Sequence, residues 1–254
     1  MNNNLEGVYW DLDGTIANTE LEAHLPAFNL SFRDYGLSWH WESSNYINLL
    51  KINGGKNRIS HYSKIINASI PEDIVISIHE RKQFHYLEII KNDVVQLKKG
   101  VYRLISELYQ KKIRQFIVTS SSKKQVDLLV SHLFPEFNPF EFIISSDDVK
   151  FHKPHPLPYL EAIKRSGIKK NKSIVFEDSY PGIKSSLTAG LPTIYTPSNI
   201  PTSFHEKINL DCIIECLGDK DDMANVKKGP KLDSKYVNYS FLNKYLRSSL
   251  NAKN

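Results

Sequence analysis

Four short stretches of the chain carry side chains suited to phosphorus chemistry. Asp11-Leu12-Asp13-Gly14-Thr15 offers two carboxylates, Thr119-Ser120-Ser121-Ser122 offers hydroxyls, Lys153 stands before Pro154, and Glu177-Asp178 is a second acid pair. Packed together unpaired, Asp11, Asp13, Glu177 and Asp178 repel one another. A hard divalent cation resolves that conflict, and Mg²⁺ takes oxygen ligands while keeping waters and a substrate phosphate in its shell. Ser120 and nearby backbone N–H groups can hydrogen-bond phosphate oxygens, and Lys153 adds a point charge against developing negative charge. A carboxylate can attack phosphorus to form an aspartyl-phosphate. A second carboxylate close by can protonate the leaving oxygen and later deprotonate a water. The set describes metal-assisted phosphoryl transfer.

Each stretch alone is weak. Asp-x-Asp-Gly arises by chance in about one chain in twenty of this length. The triple serine also reads as a helix N-cap, a lone lysine as a surface residue, and Glu177-Asp178 as a solvated loop. A calcium loop of the EF-hand kind is a poor fit, because Ile16 stands where that loop needs Gly. The weight comes from the order of the four stretches and from what precedes them.

What precedes them is strand. Gly7-Val8-Tyr9-Trp10 is a short apolar run that leads straight into Asp11. Phe116-Ile117-Val118 leads into the hydroxyls, and Ile174-Val175-Phe176 into the second acid pair. Phe142-Ile143-Ile144 lies some residues before Lys153, and Pro192-Thr193-Ile194-Tyr195 makes one further strand. Between them run helical stripes: Val101, Leu104, Ile105 and Leu108; Val126, Leu129, Val130 and Leu133; Leu157, Leu160 and Ile163; Ile183 and Leu187. Strand and helix alternate, which predicts an α/β fold with a parallel sheet covered on both faces. Ligands of such sheets bind beyond the carboxyl ends of the strands, where these polar residues fall. Residues 19–92 lack strand signals. Leu21, Leu25, Phe28, Phe32 and Tyr35 recur at helical spacing, Pro26 kinks or restarts that helix, and Pro71-Glu72-Asp73 opens another. The expected domains are a core of 1–18 and 93–218, an all-helical insertion of 19–92, and a tail of 219–254. In the tail, 219–236 reads as solvated linker and 237–248 as a small amphipathic helix.

The chain has 254 residues, 41% of them hydrophobic and 24% charged, which suits one or two globular domains and excludes overall disorder. No apolar run approaches the ~18 residues of a membrane span, and the first residues carry neither a secretory nor a transit pattern. The expected compartment is cytoplasmic, with no membrane partner and a monomeric chain. A net charge of +5 favours anionic small molecules, and the lysines are too diffuse to argue for nucleic acid. Cys212 and Cys216 lack zinc or redox spacing and read as reduced, buried thiols. His152 and His155 read as bland neighbours of Lys153, and Trp39 and Trp41 as packing of the insertion.

With these motifs the chain closely resembles the haloacid dehalogenase-like phosphohydrolases. The resemblance implies a Rossmann-like core with a helical cap inserted after the first strand. It implies Asp11 as nucleophile, Asp13 as acid/base, Ser120 and Lys153 as holders of the transferring phosphoryl group, and Mg²⁺ on Asp11, the Asp13 carbonyl and Asp178 with Glu177 in support. Glu177-Asp178-Ser179, Pro181-Gly182-Ile183 and Ala189-Gly190 match the family's fourth motif. Thr19-Glu20, His24, Ala27-Phe28-Asn29, Gly36 to Trp41 and Asn53-Gly54-Gly55-Lys56-Asn57-Arg58-Ile59 are similar to the CbbY-type branch, whose members dephosphorylate xylulose-1,5-bisphosphate, an inhibitor of Rubisco. That likeness implies substrate contacts from Glu20, His24, Gly55, Lys56 and Arg58, joined by Ser121 and Lys123 beside Ser120. Two glycines permit close backbone approach to a ligand, and Lys56 and Arg58 suit a second phosphate. The run also reads as a surface turn before a basic helix. One position departs from the branch: Leu25 follows His24 where a basic residue is usual. A phosphosugar mutase of the β-phosphoglucomutase type, or a silent sugar-phosphate sensor, would use the same core motifs.

Overall fold

The structure, a computed structural model, describes residues 4–52, 54–92, 95–201 and 208–251. The chain divides into two compact units, Met1–Asn18 with Leu97–Asn254, and Thr19–Gln96.

The first unit is built on one sheet. In chain order its elements are β1 (Gly7–Trp10), then, after the insertion, α5 (Val101–Gln110), β2 (Arg114–Val118), α6 (Lys123–Leu133), β3 (Phe142–Ile144), α7 (Leu157–Ser166), β4 (Ser173–Glu177), α8 (Tyr180–Thr188), β5 (Thr193–Tyr195), β6 (Ile213–Cys216), β7 (Asn225–Lys228) and α9 (Tyr239–Asn251). The strand order is β3-β2-β1-β4-β5-β6-β7. All pairs are parallel except β6 with β7. β1 sits at the centre with every residue buried, which is why its sequence is continuously apolar rather than alternating. Tyr9 stacks on Phe116 of β2 with centroids 5.0 Å apart, and Trp10 on Phe176 of β4 at 4.2 Å. The buried polar ends find partners: Trp10 Nε1 donates to Gln115 Oε1 at 3.1 Å, and Gln115 Nε2 to the Ile105 carbonyl at 3.0 Å.

Every element of the second unit among its described residues is a helix. A π-helical turn (Glu20–His24) runs into α1 (Leu25–Asp34), followed by α2 (Ser43–Leu49), α3 (Gly55–Ile65) and α4 (Glu72–Lys91). Pro26 lies in the first turn of α1, so the helix restarts there, and Pro71 caps α4. The core of this unit gathers Phe28, Phe32, Trp41, Tyr46, Ile59 and Ile78. Trp41 is fully buried and Trp39 packs at the edge, both as packing residues. Asn29 fixes the Trp41 backbone from both sides, at 2.8 and 2.9 Å.

Three expectations are corrected. The return to the core falls at Gln96/Leu97 rather than at 92/93, and Ala17 pairs with Leu97 there; residues 93 and 94, like the expected binding-loop residue Asn53, lie outside the described residues. The segment after 218 is part of the core rather than a solvated linker and tail. β7 is an edge strand whose lysines face solvent, and lysine-rich edges read as linker because charge there blocks further pairing. α9 buries Phe241, Leu242, Tyr245 and Leu246. Tyr245 donates to the Thr193 carbonyl at 2.9 Å, and Asn243 Oδ1 accepts from the backbone N–H of Leu5 at 2.9 Å. Finally, Cys212 is buried but Cys216 is only half-buried, both as free thiols. No helix among the described residues is long and apolar enough to cross a membrane. If α9 is core, Leu242→Ala costs about 2–5 kcal/mol of unfolding free energy, read from the urea midpoint; a loss below about 0.5 kcal/mol, the size expected of a surface site, would show the helix to be peripheral.

Candidate active site

Parallel pairing brings the loaded strand ends side by side. Trp10 is in register with Ile117 on one side and Phe176 on the other, and the Asp11 N–H continues the ladder to the Phe176 carbonyl at 3.0 Å. Asp11 and Thr119 follow β1 and β2 directly, and Glu177 ends β4 with Asp178 next. Asp11, the Thr119–Ser122 hydroxyls and Glu177-Asp178 therefore share one rim.

Lys153 holds that rim together. Its side chain is 4% exposed, and its ammonium donates to Asp11 Oδ1 at 2.7 Å, Glu177 Oε1 at 2.6 Å and the Val118 carbonyl at 2.8 Å. The Lys153-Pro154 peptide is cis. Burial lowers the Lys153 pKa, but Asp11 and Glu177 outweigh it and raise it overall, so the lysine stays charged. Glu177 also accepts from Tyr159 OH at 2.6 Å. Sequence reading missed Tyr159, which sits inside the α7 stripe and looks like any other core aromatic.

The acids are crowded by design of the backbone around them. Asp11, Glu177 and Asp178 each offer an oxygen within 4.8 Å of the others. Gly14 adopts φ +88°, and a Cβ there would stand 2.0 Å from Asp178 Oδ2. A Cβ on Gly182 would stand 2.0 Å from Glu177 Oε2. Ser179 caps α8 by accepting from the Gly182 N–H at 3.2 Å, which turns the positive end of that helix toward the acids. Burial, with Glu177 next and against the pull of Lys153, lifts the Asp11 pKa to about 7. Burial, then Asp11 and Glu177, lifts that of Asp178 as well. A site of closely spaced carboxylates, Asp11 and Asp178 with raised pKa values, and with no His or Cys among its donors, has the composition that a hard divalent cation takes. Within it Glu177 commits Oε1 to Lys153 and Tyr159, which leaves Asp11 and Asp178 as the freer ligands.

Asp13 stands apart from that cluster. Its Oδ2 accepts from Ser121 Oγ at 2.5 Å. Ser120 is exposed at the rim. Ser122 and Gln125 form the cap of α6, so the serine run is part hydroxyl donor and part helix start. Lys123 is not brought to the site by its side chain, whose ammonium donates to Asp127 Oδ1 at 3.2 Å along the exposed face of α6.

The remaining expected contacts lie in the helical unit. Glu20 Oε2 accepts from Tyr46 OH at 2.5 Å, and Arg58 lies over the Tyr46 ring while donating to the Ile52 carbonyl at 3.0 Å. Lys56 is exposed in the first turn of α3. His24 stacks on Tyr86 and meets the Lys82 ammonium at 2.6 Å. Lys82 was not singled out from sequence. The signal was there: it occupies a core position in the stripe Val75, Ile78, Lys82, Tyr86, Ile90, where a lysine is out of place. His79 packs against Gly55, where a Cβ would come within 2.6 Å of its ring. Burial, then Lys82, Lys56, His24 and Arg58, lowers its pKa to about 4 and keeps it neutral.

A family model, haloacid dehalogenase-like hydrolase, matches residues 8–196. Protein CbbY of Rhodobacter capsulatus is 35% identical over 76% of this chain and 86% of its own length, and a plasmid-borne CbbY of Cupriavidus necator is 33% identical over 76% and 79%. Crystal structures of CbbY from Rhodobacter sphaeroides superpose with TM-scores of 0.74, in complex with phosphate, and 0.75, for a variant in complex with xylulose-1,5-bisphosphate. Their identities to this chain are 28% and 27%, and both cover 84% of this chain and 94% of theirs.

Two outcomes are expected. Lys153→Met leaves the buried acids without their internal cation and costs about 3–5 kcal/mol, read from urea unfolding; a change under about 1 kcal/mol would show the rim does not depend on it. Below about pH 7 the Asp11 proton must be displaced before a cation binds, and above it no such work is needed. Apparent Mn²⁺ affinity, titrated on metal-free protein, therefore rises between pH 5.5 and pH 8; equal affinity at both would contradict the raised carboxylate pKa.

Proposed function

The chain belongs to the haloacid dehalogenase-like hydrolases and is a phosphatase of that family, and from that premise we propose that it hydrolyses xylulose-1,5-bisphosphate to xylulose 5-phosphate and phosphate, with Mg²⁺ as cofactor. The observation that carries the phosphatase reading is Lys153 bridging Asp11 and Glu177 at 2.7 and 2.6 Å, with Asp178 in the same cluster of acids. The xylulose-1,5-bisphosphate complex of the Rhodobacter protein supports the choice of sugar.

Lys153 occupies Asp11 Oδ1, which orients the carboxylate and leaves its other oxygen to attack phosphorus. The bond to the sugar oxygen breaks, and Asp13 gives that oxygen its proton. Asp13 then takes a proton from a water whose oxygen attacks the aspartyl-phosphate, freeing Asp11 and inorganic phosphate. Ser121 Oγ, donating to Asp13, holds it in place for both transfers. Ser120 donates to the phosphoryl oxygens and Lys153 sets its fixed positive charge near them, where it acts most strongly on developing charge. Mg²⁺, held by Asp11, the Asp13 carbonyl and Asp178 with Glu177 behind them, would neutralise phosphate charge and align the group for attack.

The helical unit supports a bisphosphate. α3 has no acid in its first turn and no side-chain cap, and instead carries Lys56 and Arg58. Cations at that end oppose the helix dipole, whereas a phosphate there would suit both the dipole and the two side chains. Glu20, His24 and Gly55 complete the proposed grip on the sugar.

Phosphate release with and without Mg²⁺ tests the reading on xylulose-1,5-bisphosphate, ribulose-1,5-bisphosphate, β-glucose-1-phosphate and fructose-1,6-bisphosphate. The expected result is Mg²⁺-dependent release from the first well above the others, and none from Asp11→Asn, which keeps the shape of the side chain and a native circular dichroism spectrum. Unchanged release by Asp11→Asn would overturn the nucleophile. Isomerised sugar phosphate without free phosphate would make the protein a mutase.

A further inference from the structure

A second lysine serves the rim from behind, and no motif pointed to it. Lys98 stands in the segment that re-enters the core, before α5, and is half-buried. Its ammonium donates to the carbonyls of Gly14 at 2.6 Å, Pro197 at 2.8 Å and Thr196 at 3.3 Å, and lies 3.4 Å from Thr196 Oγ1. Among the described residues it forms no ion pair. Its backbone is tied to the same place, with the Lys98 N–H on the Ile16 carbonyl at 2.8 Å.

The two loops it joins flank Asp178. Gly14, on one side, packs so closely that its missing Cβ would meet Asp178 Oδ2, and Ser198 Cβ lies 3.1 Å from the same point. Ser198, on the other side, hydrogen-bonds the Asp178 carboxylate. Thr196 is itself fastened to β4, its N–H on the Glu177 carbonyl at 2.8 Å. A lysine spent on neutral carbonyls loses hydration without gaining a contact ion pair, and burial brings its pKa down to about 8 against the pull of Asp178 and Asp11. A neutral side chain with one or two donors could not meet three carbonyls at once; an ammonium, with three protons, can.

We propose that Lys98 is a positioning residue of the catalytic rim: by clamping the loop after β1 to the loop after β5 it fixes Asp178 beside Asp11 and so sets the affinity of the site for a divalent cation. The inference rests on the metal-dependent phosphatase reading, but its test does not need a substrate. Mn²⁺ is titrated into metal-free wild type, Lys98→Met, Lys98→Gln and Lys98→Arg, with circular dichroism for folding and kcat and KM measured at saturating metal. Outer-shell partners of metal ligands are typically worth about 10- to 100-fold in affinity or activity, so folded Lys98→Met is expected to bind Mn²⁺ at least about tenfold more weakly. Its kcat falls by a similar factor while KM moves less, and Lys98→Arg recovers part of both. Wild-type Mn²⁺ affinity in folded Lys98→Met overturns the clamp, as does tighter binding, which would make the lysine only an opposing charge. Should Lys98→Met fail to fold, Lys98→Gln carries the same two readouts: weaker Mn²⁺ binding supports the clamp, and unchanged or tighter binding overturns it. If the wild type releases no phosphate from any sugar while the Mn²⁺ loss is seen, the phosphatase reading fails and the clamp stands.

Discussion

Three carboxylates within 4.8 Å of one another at a mostly buried rim form an arrangement that proteins avoid unless cations answer it. Here Lys153 answers it with all three of its protons, two on the acids and one on the backbone carbonyl that ends β2. That third bond ties an electrostatic demand to the sheet, since Val118 belongs to the strand next to β1. The position of Asp11 and the placement of the hydroxyl loop therefore both lean on one ammonium. Lys98 adds a second positive charge on the far side of Gly14, spent on carbonyls rather than acids. The rim is short of full neutralisation, and that deficit is what a divalent cation would meet.

Glycine does the complementary work. Gly14 and Gly182 lie where a methyl group would occupy the space of the Asp178 and Glu177 carboxylates. Both motifs are therefore constraints on empty volume as much as on chemistry. Substituting Gly182 displaces Glu177, which Lys153 holds, and substituting Gly14 displaces Asp178.

Much of this was legible in the sequence because the central strands are buried on both faces, so that polar residues stand out where each strand ends. Asp11, Glu177 and Asp178 stand out that way, Lys153 stands out by its place before Pro154 some residues beyond a strand, and the helical insertion by the lack of strand signals in 19–92. What was not legible has physical reasons. Lys98 acts on backbone carbonyls, which leave no trace in residue types. Tyr159 and Lys82 sit on helices whose stripes conceal them, the first as an ordinary aromatic and the second as an anomaly that spacing could have exposed. β7 was read as solvated linker because an edge strand guarded by lysines resembles one until its partner is known, whereas α9 was read as a small amphipathic helix and only the partner of its apolar face was hidden.

The bond from Asn243 to the Leu5 backbone joins residues 238 positions apart, and β1 pairs on its two sides with strands that begin at Arg114 and Ser173. The strand that carries Asp11 cannot pair until Arg114–Val118, which lies beyond the whole helical insertion, is available. The helical unit, whose contacts are local in sequence, can form while β1 waits. Assembly of the rim is thereby tied to long-range pairing, because Asp11 meets Glu177 and Asp178 only once Ser173–Glu177 lies beside β1.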